Sequence, residues 1–167
     1  MNRSGNYRVI NIVGEPRYNS FLLHKIINKT MLHGRKQKAA NIVYKVLERL
    51  KEYCVKNNRK DDDNVLSEMH IIETVINKIQ PKVFLRKKDI ASKTIMVPIS
   101  ISENSAIKRA IAWLVQGSRL RTTEKKFEDK LFAEIIEVYE EEKGESIKKR
   151  NNYHRIAKDN EAFVHYV

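Results

Sequence analysis

Glycine and proline are scarce in this chain, with only five Gly and three Pro among 167 residues. Because both residues mark turns and loops, their scarcity argues against a loop-built or sandwich fold and favours helices. Long apolar runs are also absent. None approaches the roughly 20 residues that cross a bilayer, so we expect no membrane partner. The N-terminal residues lack the apolar core of a secretory signal, and we expect the protein to work in the compartment where it is made.

Cysteine and histidine do not form the patterns of a metal site. Cys54 is the only cysteine, which excludes an internal disulfide and a cysteine-based metal site, and its place in a helical pattern predicts a buried, inert thiol. The His residues, at positions 24, 33, 70, 154 and 165, lack the H-x-x-x-H spacing that puts two imidazoles on one helical face. We therefore expect no metal and no cofactor.

Catalytic signatures are missing as well. The sequence contains no G-x-x-x-x-G-K-[ST] loop, no G-x-G-x-x-G after a strand and no G-x-S-x-G elbow. Its carboxylates cluster in the fifth predicted helix and in the polar segment 56–64, where we expect them to be exposed and to titrate as free carboxylates do. We predict that the protein is not an enzyme. A helical enzyme with an anionic substrate is the weaker alternative.

Positive charge is what the sequence has in excess: 33 Lys and Arg against 21 Asp and Glu give a net charge of +12. In residues 1–60, 14 basic residues accompany only 3 acidic ones, and residues 104–123 hold 4 basic and no acidic residues. Residues 124–145 hold 4 basic and 9 acidic residues. Because the two signs are segregated, the charge indicates an anionic partner on one flank, whereas merely solvated lysine helices leave the segregation unexplained.

Apolar residues recur at helical spacing along most of the chain, which predicts a mainly α fold of about six helices. The predicted helices are 19–32, one from Arg35 onward, one that Asp63 or Asn64 caps and Pro81 closes, one that Ser102 or Asn104 caps, one that Thr123 opens, and 148–160. The segment 56–64 contains no apolar residue and is expected to be a mobile loop. Two buried stripes matter below: Leu23, Ile26, Ile27, Thr30 and Met31, and Ala106, Ile107, Ala110, Ile111, Leu114 and Val115.

The helical spacing breaks once, between Pro81 and Ser102. Every second residue of 95–101 is apolar, which predicts a strand with one apolar face, and 83–86 is its expected partner. The resulting ribbon suits the groove or backbone of a polyanion, although its cations are almost as well explained as guards of an edge strand against aggregation. The predicted connection carries Arg86, Lys87, Lys88 and Lys93.

Three other basic clusters lie on predicted helices. Arg35, Lys36 and Lys38 follow Gly34 at a helix start, where unpaired N–H groups favour phosphate; solvated cations at a plain helix break are the alternative. The fourth helix carries cations that ordinary surface exposure also explains, and its Trp113 is expected in the core. The third cluster lies at a predicted helix start, where cations oppose the helix dipole, so an external anion is favoured. The members of the last two clusters are Lys108, Arg109, Arg119 and Arg121, and Lys148, Lys149, Arg150, His154 and Arg155.

Taken in order, these stretches resemble a known family across nearly the whole chain: the seventh protein of the ribosomal small subunit, in its bacterial and organellar form. The most specific stretch is the tail 148–157, KKRNNYHRIA, with Asn160, Ala162, Phe163, His165 and Tyr166. The other matching stretches are 22–39 with Met31, Gly34-Arg35-Lys36 and Ala39, then Ile42-Val43-Tyr44, Gln80-Pro81-Lys82-Val83, Val97-Pro98, Trp113-Leu114-Val115 and Ser118-Arg119.

The resemblance implies one helical rRNA-binding domain, 1–167, with a basic N-terminal arm (1–18), a β-hairpin extension (82–101) and a basic C-terminal helix and tail (146–167). It implies direct binding of the 3′ major domain of small-subunit rRNA, early nucleation of the subunit head, and a ribbon beside the exit-site tRNA and the mRNA. Implied protein neighbours are head proteins nine, thirteen and nineteen and platform protein eleven. The residues expected to bind rRNA are Arg3, Arg8, Arg35, Lys36, Lys38, Lys82, Arg86, Lys87, Lys88, Lys93, Lys108, Arg109, Arg119, Arg121, Lys148, Lys149, Arg150, His154 and Arg155.

Some residues depart from the family pattern. The hairpin tip reads Asp89-Ile90-Ala91-Ser92 where bacterial relatives are usually Gly-rich, Arg35 replaces a Lys, and Ala112 stands where Arg is common. High Lys, Ile and Asn usage is typical of an AT-rich genome. With the absent transit peptide, it favours a mitochondrial ribosome, with plastid and bacterial ribosomes as alternatives. A non-ribosomal RNA chaperone or assembly factor is the alternative function.

Overall fold

Helices dominate the structure, a computed structural model that describes residues 14–57, 67–90, 93–141 and 143–166. Six α-helices and one two-stranded hairpin lie within those ranges, which confirms the predicted mainly α fold. Most of the predicted polar loop and the first 13 residues of the predicted arm lie outside the described residues. The elements are α1 (Phe21–Thr30), α2 (Lys36–Asn57), α3 (Glu68–Ile79), β1 (Val83–Ile90), β2 (Lys93–Ser100), α4 (Glu103–Leu120), α5 (Phe127–Glu141), α6 (Glu145–Asp159) and a 3-10 helix (Glu161–Tyr166).

The helix starts correct three sequence predictions. Ser67, not Asp63 or Asn64, caps α3: its hydroxyl accepts a hydrogen bond from the His70 N–H at 3.2 Å. Helix α5 begins at Phe127 and not at Thr123, because residues 121–126 form an irregular segment, in which Arg121 pairs with Glu124. Helix α6 begins three residues earlier than predicted, at Glu145.

A shared aliphatic core holds the helices together. Helix α4 lies at its centre and packs against α1, α3, α5 and α6. The predicted inner face of α4 is confirmed, since Ala106, Ala110, Ile111, Leu114 and Val115 are all buried and Ile107 is half-buried. Burying one such large aliphatic side chain contributes roughly 1.5–3 kcal/mol. From this central position, Arg109 of α4 reaches Phe84 of the hairpin, and Arg119 reaches the cavity beside the start of α2.

The hairpin is antiparallel, with a register that runs from the pair Val83 and Ser100 to the pair Ile90 and Lys93. Strand β1 is longer than predicted, because it continues to Ile90 rather than ending at Arg86. The cations assigned to the connection therefore lie within the paired strands, with Arg86 opposite Val97 and Lys88 opposite Ile95. Val97 is buried, which fits the predicted apolar face.

Cys54 is half-buried rather than fully buried, and burial raises the pKa of its thiol. A raised pKa reduces the thiolate fraction, in keeping with the predicted inert thiol. None of the described helices combines the length and the hydropathy of a membrane span.

Candidate nucleic-acid interface

The turn between α1 and α2 exposes a group of cations. His33 and Gly34 both have left-handed backbone, with φ of 51° and 71°, so the chain reverses within a few residues. Arg35, Lys36 and Lys38 follow at the N-terminal end of α2, and all three are exposed. Within the described part of the chain they form no ion pair. Their charge is therefore available to an external anion.

A cavity of about 400 Å³ brings this turn together with α4 and the start of α5. The guanidinium of Arg119 reaches over it, where Nη2 donates to the Thr30 carbonyl oxygen at 3.3 Å and the group lies 6.0 Å from the Phe127 ring centroid. Arg119 thus shares one concave surface with Arg35 and Lys38, which lie far from it in sequence. Its lining residues are Thr30, Leu32, His33, Arg35, Lys38, Ala39, Ile42, Arg119 and Phe127.

The exposed side of α4 continues this basic surface. At 100° per residue, Lys108, Ala112 and Arg119 lie within about 40° of one another around the helix. Lys25 lies on α1, which packs against α4, and its Nζ is 4.2 Å from the Phe21 ring centroid. Burial first and the Lys108 charge second lower the pKa of Lys25. Sequence reasoning missed Lys25: its position outside the apolar stripe indicates exposure but not which helix lies beside it. We call Lys25, Arg35, Lys38, Lys108 and Arg119 the basic face.

Arg109 points elsewhere, towards the base of the hairpin. Its guanidinium lies 4.7 Å from the Phe84 ring centroid and 5.3 Å from that of Tyr153. Trp113 packs edge-on against Tyr153 at 5.2 Å, as a core residue rather than a stacking platform. Cation–π contacts of this kind contribute about 0.5–2 kcal/mol. Arg109 therefore joins α4, α6 and β1, which is a structural role beside any contact with RNA.

Arg121 was predicted to lie in an RNA-binding surface. In the structure, three carboxylates pair with its guanidinium instead. Its guanidinium donates to Glu124 and Glu134 at 3.2 Å and also to Glu137. The hydrogen bond with Arg121 lowers the pKa of Glu124. Glu134 has no exposed surface, so the expectation that the carboxylates are exposed is wrong at this position. We therefore remove Arg121 from the candidate interface.

His154 is also better explained as a structural group. Its Nε2 accepts a hydrogen bond from the Lys82 backbone N–H at 3.1 Å. Burial, and then the charges of Arg150 and Lys82, lower the pKa of the imidazole. A neutral imidazole that already accepts a hydrogen bond does not offer a positive charge to phosphate, so we remove His154 as well.

The C-terminal cluster lies in the middle of α6 and makes local contacts. Because the helix begins at Glu145, the argument from an opposed helix dipole does not apply to this cluster. Lys148 pairs with Glu145 at 2.7 Å, Lys149 donates to Gln116 at 3.3 Å, and Arg155 donates to Asn152 at 2.8 Å. Arg150 donates to the Lys78 carbonyl. Each of these four cations therefore already has a partner within the protein.

The hairpin carries its cations on strand β1. Arg86, Lys87 and Lys88 are exposed, and the strand alternation sends Lys87 to the opposite face from the other two. Lys93 pairs with Ile90 in the register, but its side chain lies outside the described residues. Arg3 and Arg8 lie outside them entirely. Lys82 is exposed at the hairpin base.

A tyrosine hydroxyl fastens this hairpin to α6. Pro98 pairs with Leu85 in the register and has no N–H to donate. The Leu85 N–H points away from the ladder and donates to the hydroxyl of Tyr153 at 2.7 Å. The hairpin is therefore attached by this hydrogen bond together with the hydrogen bond from Lys82 to His154 and the contact of Arg109 with Phe84.

Replacing Tyr153 by Phe is expected to lower the free energy of unfolding by about 1 kcal/mol, because the Leu85 N–H loses its partner. Hydrogen exchange at the Leu85 amide should also accelerate. Urea unfolding and amide exchange measure the two effects. Tyr18→Phe, which alters an exposed ring, is the control and should change stability by less than about 0.5 kcal/mol. Equal exchange at Leu85 in both variants contradicts the proposed attachment.

Comparison with known proteins shows that this chain is similar to ribosomal proteins. A sequence model of the family described as ribosomal protein S7p/S5e matches residues 2–161. The protein named small ribosomal subunit protein uS7 from Pelagibacter ubique is 35% identical over 155 residues, which cover 93% of this chain and 92% of that protein. Its namesake from Chloroflexus aurantiacus is 34% identical over 166 residues, covering 99% and 98%. That from Petrotoga mobilis is 36% identical over 156 residues, covering 93% of each.

Proposed function

The chain belongs to the ribosomal protein S7p/S5e family, and we propose that it is a structural, non-catalytic protein of the small ribosomal subunit that binds rRNA directly. The observation that carries the proposal is the basic face. There Arg35, Lys38 and Arg119, from distant parts of the sequence, line one cavity, and Lys25 and Lys108 extend the same charge along α1 and α4. Phosphate contacts of this kind supply most of the affinity of RNA-binding proteins and fix their orientation.

The finer proposal follows the family resemblance. The rRNA partner is the 3′ major domain, and binding there nucleates the head of the subunit. The exposed cations of β1 support placing the hairpin beside the exit-site tRNA and the mRNA. Head proteins nine, thirteen and nineteen and platform protein eleven are the proposed protein neighbours. The N-terminal arm, the hairpin and the C-terminal helix are then extensions of one RNA-binding domain.

The residues of the proposed interface are a reduced set. Arg121 is left out because three carboxylates pair with its guanidinium. His154 is left out because its neutral imidazole already accepts a hydrogen bond, and Lys25 is added. The retained residues are Arg3, Arg8, Arg35, Lys36, Lys38, Lys82, Arg86, Lys87, Lys88, Lys93, Lys108, Arg109, Arg119, Lys148, Lys149, Arg150 and Arg155.

The relatives and the amino-acid usage favour different cellular compartments for this protein. The relatives named above are bacterial proteins, which supports the bacterial alternative. The high Lys, Ile and Asn usage supports the mitochondrial ribosome that we first expected, with the plastid ribosome behind it. A small ribosomal subunit is common to all of these origins.

Affinity for the 3′ major-domain rRNA is expected to fall steeply with salt. Five phosphate contacts from the basic face predict a log–log slope of about −4, since each contact releases 0.7–0.9 counterions. A filter-binding series at rising KCl measures the slope. A flat slope contradicts phosphate binding. Sucrose-gradient fractionation separates the ribosomal role from the chaperone alternative, because a chaperone does not sediment stoichiometrically with small subunits.

A further inference from the structure

The cavity beside the α1–α2 turn has features that phosphate binding does not use. Resting on the proposed function, we propose that this cavity receives a single unstacked base of the rRNA, whose adjoining phosphates lie on Arg35 and Lys38. Sequence-specific RNA recognition favours such bases, because their edges and faces are accessible once they leave the stack. The basic face then binds the phosphate backbone of the RNA and also recognises one base.

A buried hydroxyl without a partner is the first observation. Thr30 lines the cavity and is only 5% exposed. Its Oγ1 is the single buried side-chain nitrogen or oxygen among the described residues that has no hydrogen-bond partner. Leaving such a group unpaired costs about 1–3 kcal/mol, so a ligand that pairs with it gains affinity. A hydroxyl both donates and accepts, and therefore matches either kind of group on a base edge.

The apolar surface of the cavity is the second observation. Ala39, Ile42 and Phe127 line it, and Leu32 at its margin is 56% exposed. A phosphate backbone makes no favourable contact with an apolar surface, whereas the flat face of a base packs against it. The volume of about 400 Å³ lies within the 300–1,000 Å³ of ordinary ligand pockets. The aromatic ring of Phe127 and the guanidinium of Arg119 are the two groups on which a base stacks.

The charge around the opening is the third observation. Arg35 and Lys38 stand at the N-terminal end of α2, where unpaired N–H groups also favour an anion. Gly34, which has a left-handed φ of 71°, has open space around it: a Cβ added there meets no heavy atom within 4 Å. Among the residues that the structure describes, no Asp or Glu lines the cavity. An apolar interior with cations at its mouth fits a nucleotide, whose base is uncharged and whose phosphate is anionic. It fits an apolar side chain of a protein neighbour less well.

Thr30→Val tests the assignment directly, because valine keeps the shape and removes only the hydroxyl. The backbone carbonyl that Arg119 uses stays in place. We expect about tenfold weaker binding to the 3′ major-domain rRNA, an unchanged salt slope, and a Tm that is unchanged or slightly raised, because an unpaired buried hydroxyl is lost. Lys38→Ala is the matched control for a phosphate contact: it should lower affinity and reduce the salt slope by about one.

An abasic scan of the RNA identifies the base. Each unpaired nucleotide is made abasic in turn, and binding is measured with the wild type and Thr30→Val. One position should weaken wild-type binding about tenfold and leave the variant unaffected, since both changes remove the same contact. Ile42→Trp, which fills the cavity, should reproduce the loss without changing far-UV circular dichroism.

The outcomes separate this proposal from the proposed function. If the wild type does not bind the rRNA, both fail. If the wild type binds steeply with salt but Thr30→Val and Ile42→Trp bind equally well, the base pocket is wrong and the function stands. If both variants bind rRNA normally but enter the subunit poorly, the cavity belongs to a protein neighbour, which also overturns the base pocket.

Discussion

Changing Arg35, Lys36 and Lys38 together to alanine is expected to weaken binding to the 3′ major-domain rRNA by about a hundredfold at physiological salt. All three side chains are exposed at the start of α2, and each solvent-exposed contact between a cation and an anion contributes up to about 1 kcal/mol. The log–log salt slope should fall by two to three at the same time, because fewer counterions are released. Filter binding over a KCl series measures both quantities.

The matched control removes the same charge elsewhere. Lys51, Lys56 and Lys143 are also exposed. Lys51 and Lys56 lie towards the far end of α2, more than about 20 Å from Lys36 at 1.5 Å per residue. The control triple to alanine should retain most of the affinity and the salt slope. Equal losses in the two triples indicate that net charge alone governs binding, and unchanged affinity in the first triple removes the turn from the interface. Far-UV circular dichroism confirms that helicity is retained.

Glu134→Ala is expected to lower the free energy of unfolding by about 3–4 kcal/mol. Glu134 is fully buried in α5, where it accepts hydrogen bonds from the Ser146 N–H at 2.9 Å, from the Ser146 hydroxyl, and from Arg121 at 3.2 Å. Removing it leaves a largely buried guanidinium with one partner fewer, two unpaired donors at Ser146 and a void. Urea denaturation measures the loss.

Gly117 lies against Glu134 and offers a second test of how closely this buried carboxylate is packed. A Cβ at Gly117 would lie 2.9 Å from Oε1 of Glu134, so Gly117→Ala should destabilise the wild type and do so less in the Glu134→Ala background. Glu141→Ala, at a carboxylate whose side chain is 55% exposed, is the control and should change stability by less than about 0.5 kcal/mol. Additive effects of the Gly117 and Glu134 changes contradict the close approach.

Periodicity predicted the elements well because it records burial directly. The apolar stripe of α4 and the alternation in β2 each follow from one repeated spacing. The starts of α3, α5 and α6 were predicted wrongly because the local pattern does not fix where a helix begins. Before α3, for example, Asp63, Asn64 and Ser67 can all cap a helix. Only the fold decides which of them has an N–H within reach.

The candidate site was predicted in part, for a related reason. Exposed cations such as Arg35 and Lys38 are recognisable in sequence because nothing near them is acidic. Arg121 is not distinguishable from them, because two of its partners, Glu134 and Glu137, come from the next helix. Thr30 was expected on a buried stripe, but spacing does not show whether a buried hydroxyl has a partner. Such facts depend on tertiary neighbours and not on local pattern.

The hairpin extends well beyond the contacts that attach it to the helices. Its fixed contacts lie near one end, where Tyr153 holds Leu85 and Arg109 covers Phe84. Five further residues of β1 lead from Leu85 to Ile90, about 16 Å at 3.3 Å per residue. A tilt of about 10° at these contacts therefore displaces the far end of the hairpin by roughly 3 Å, which is the donor–acceptor distance of a hydrogen bond. A small shift of the α6 side chains that hold the hairpin is therefore expected to move its far end by several times as much.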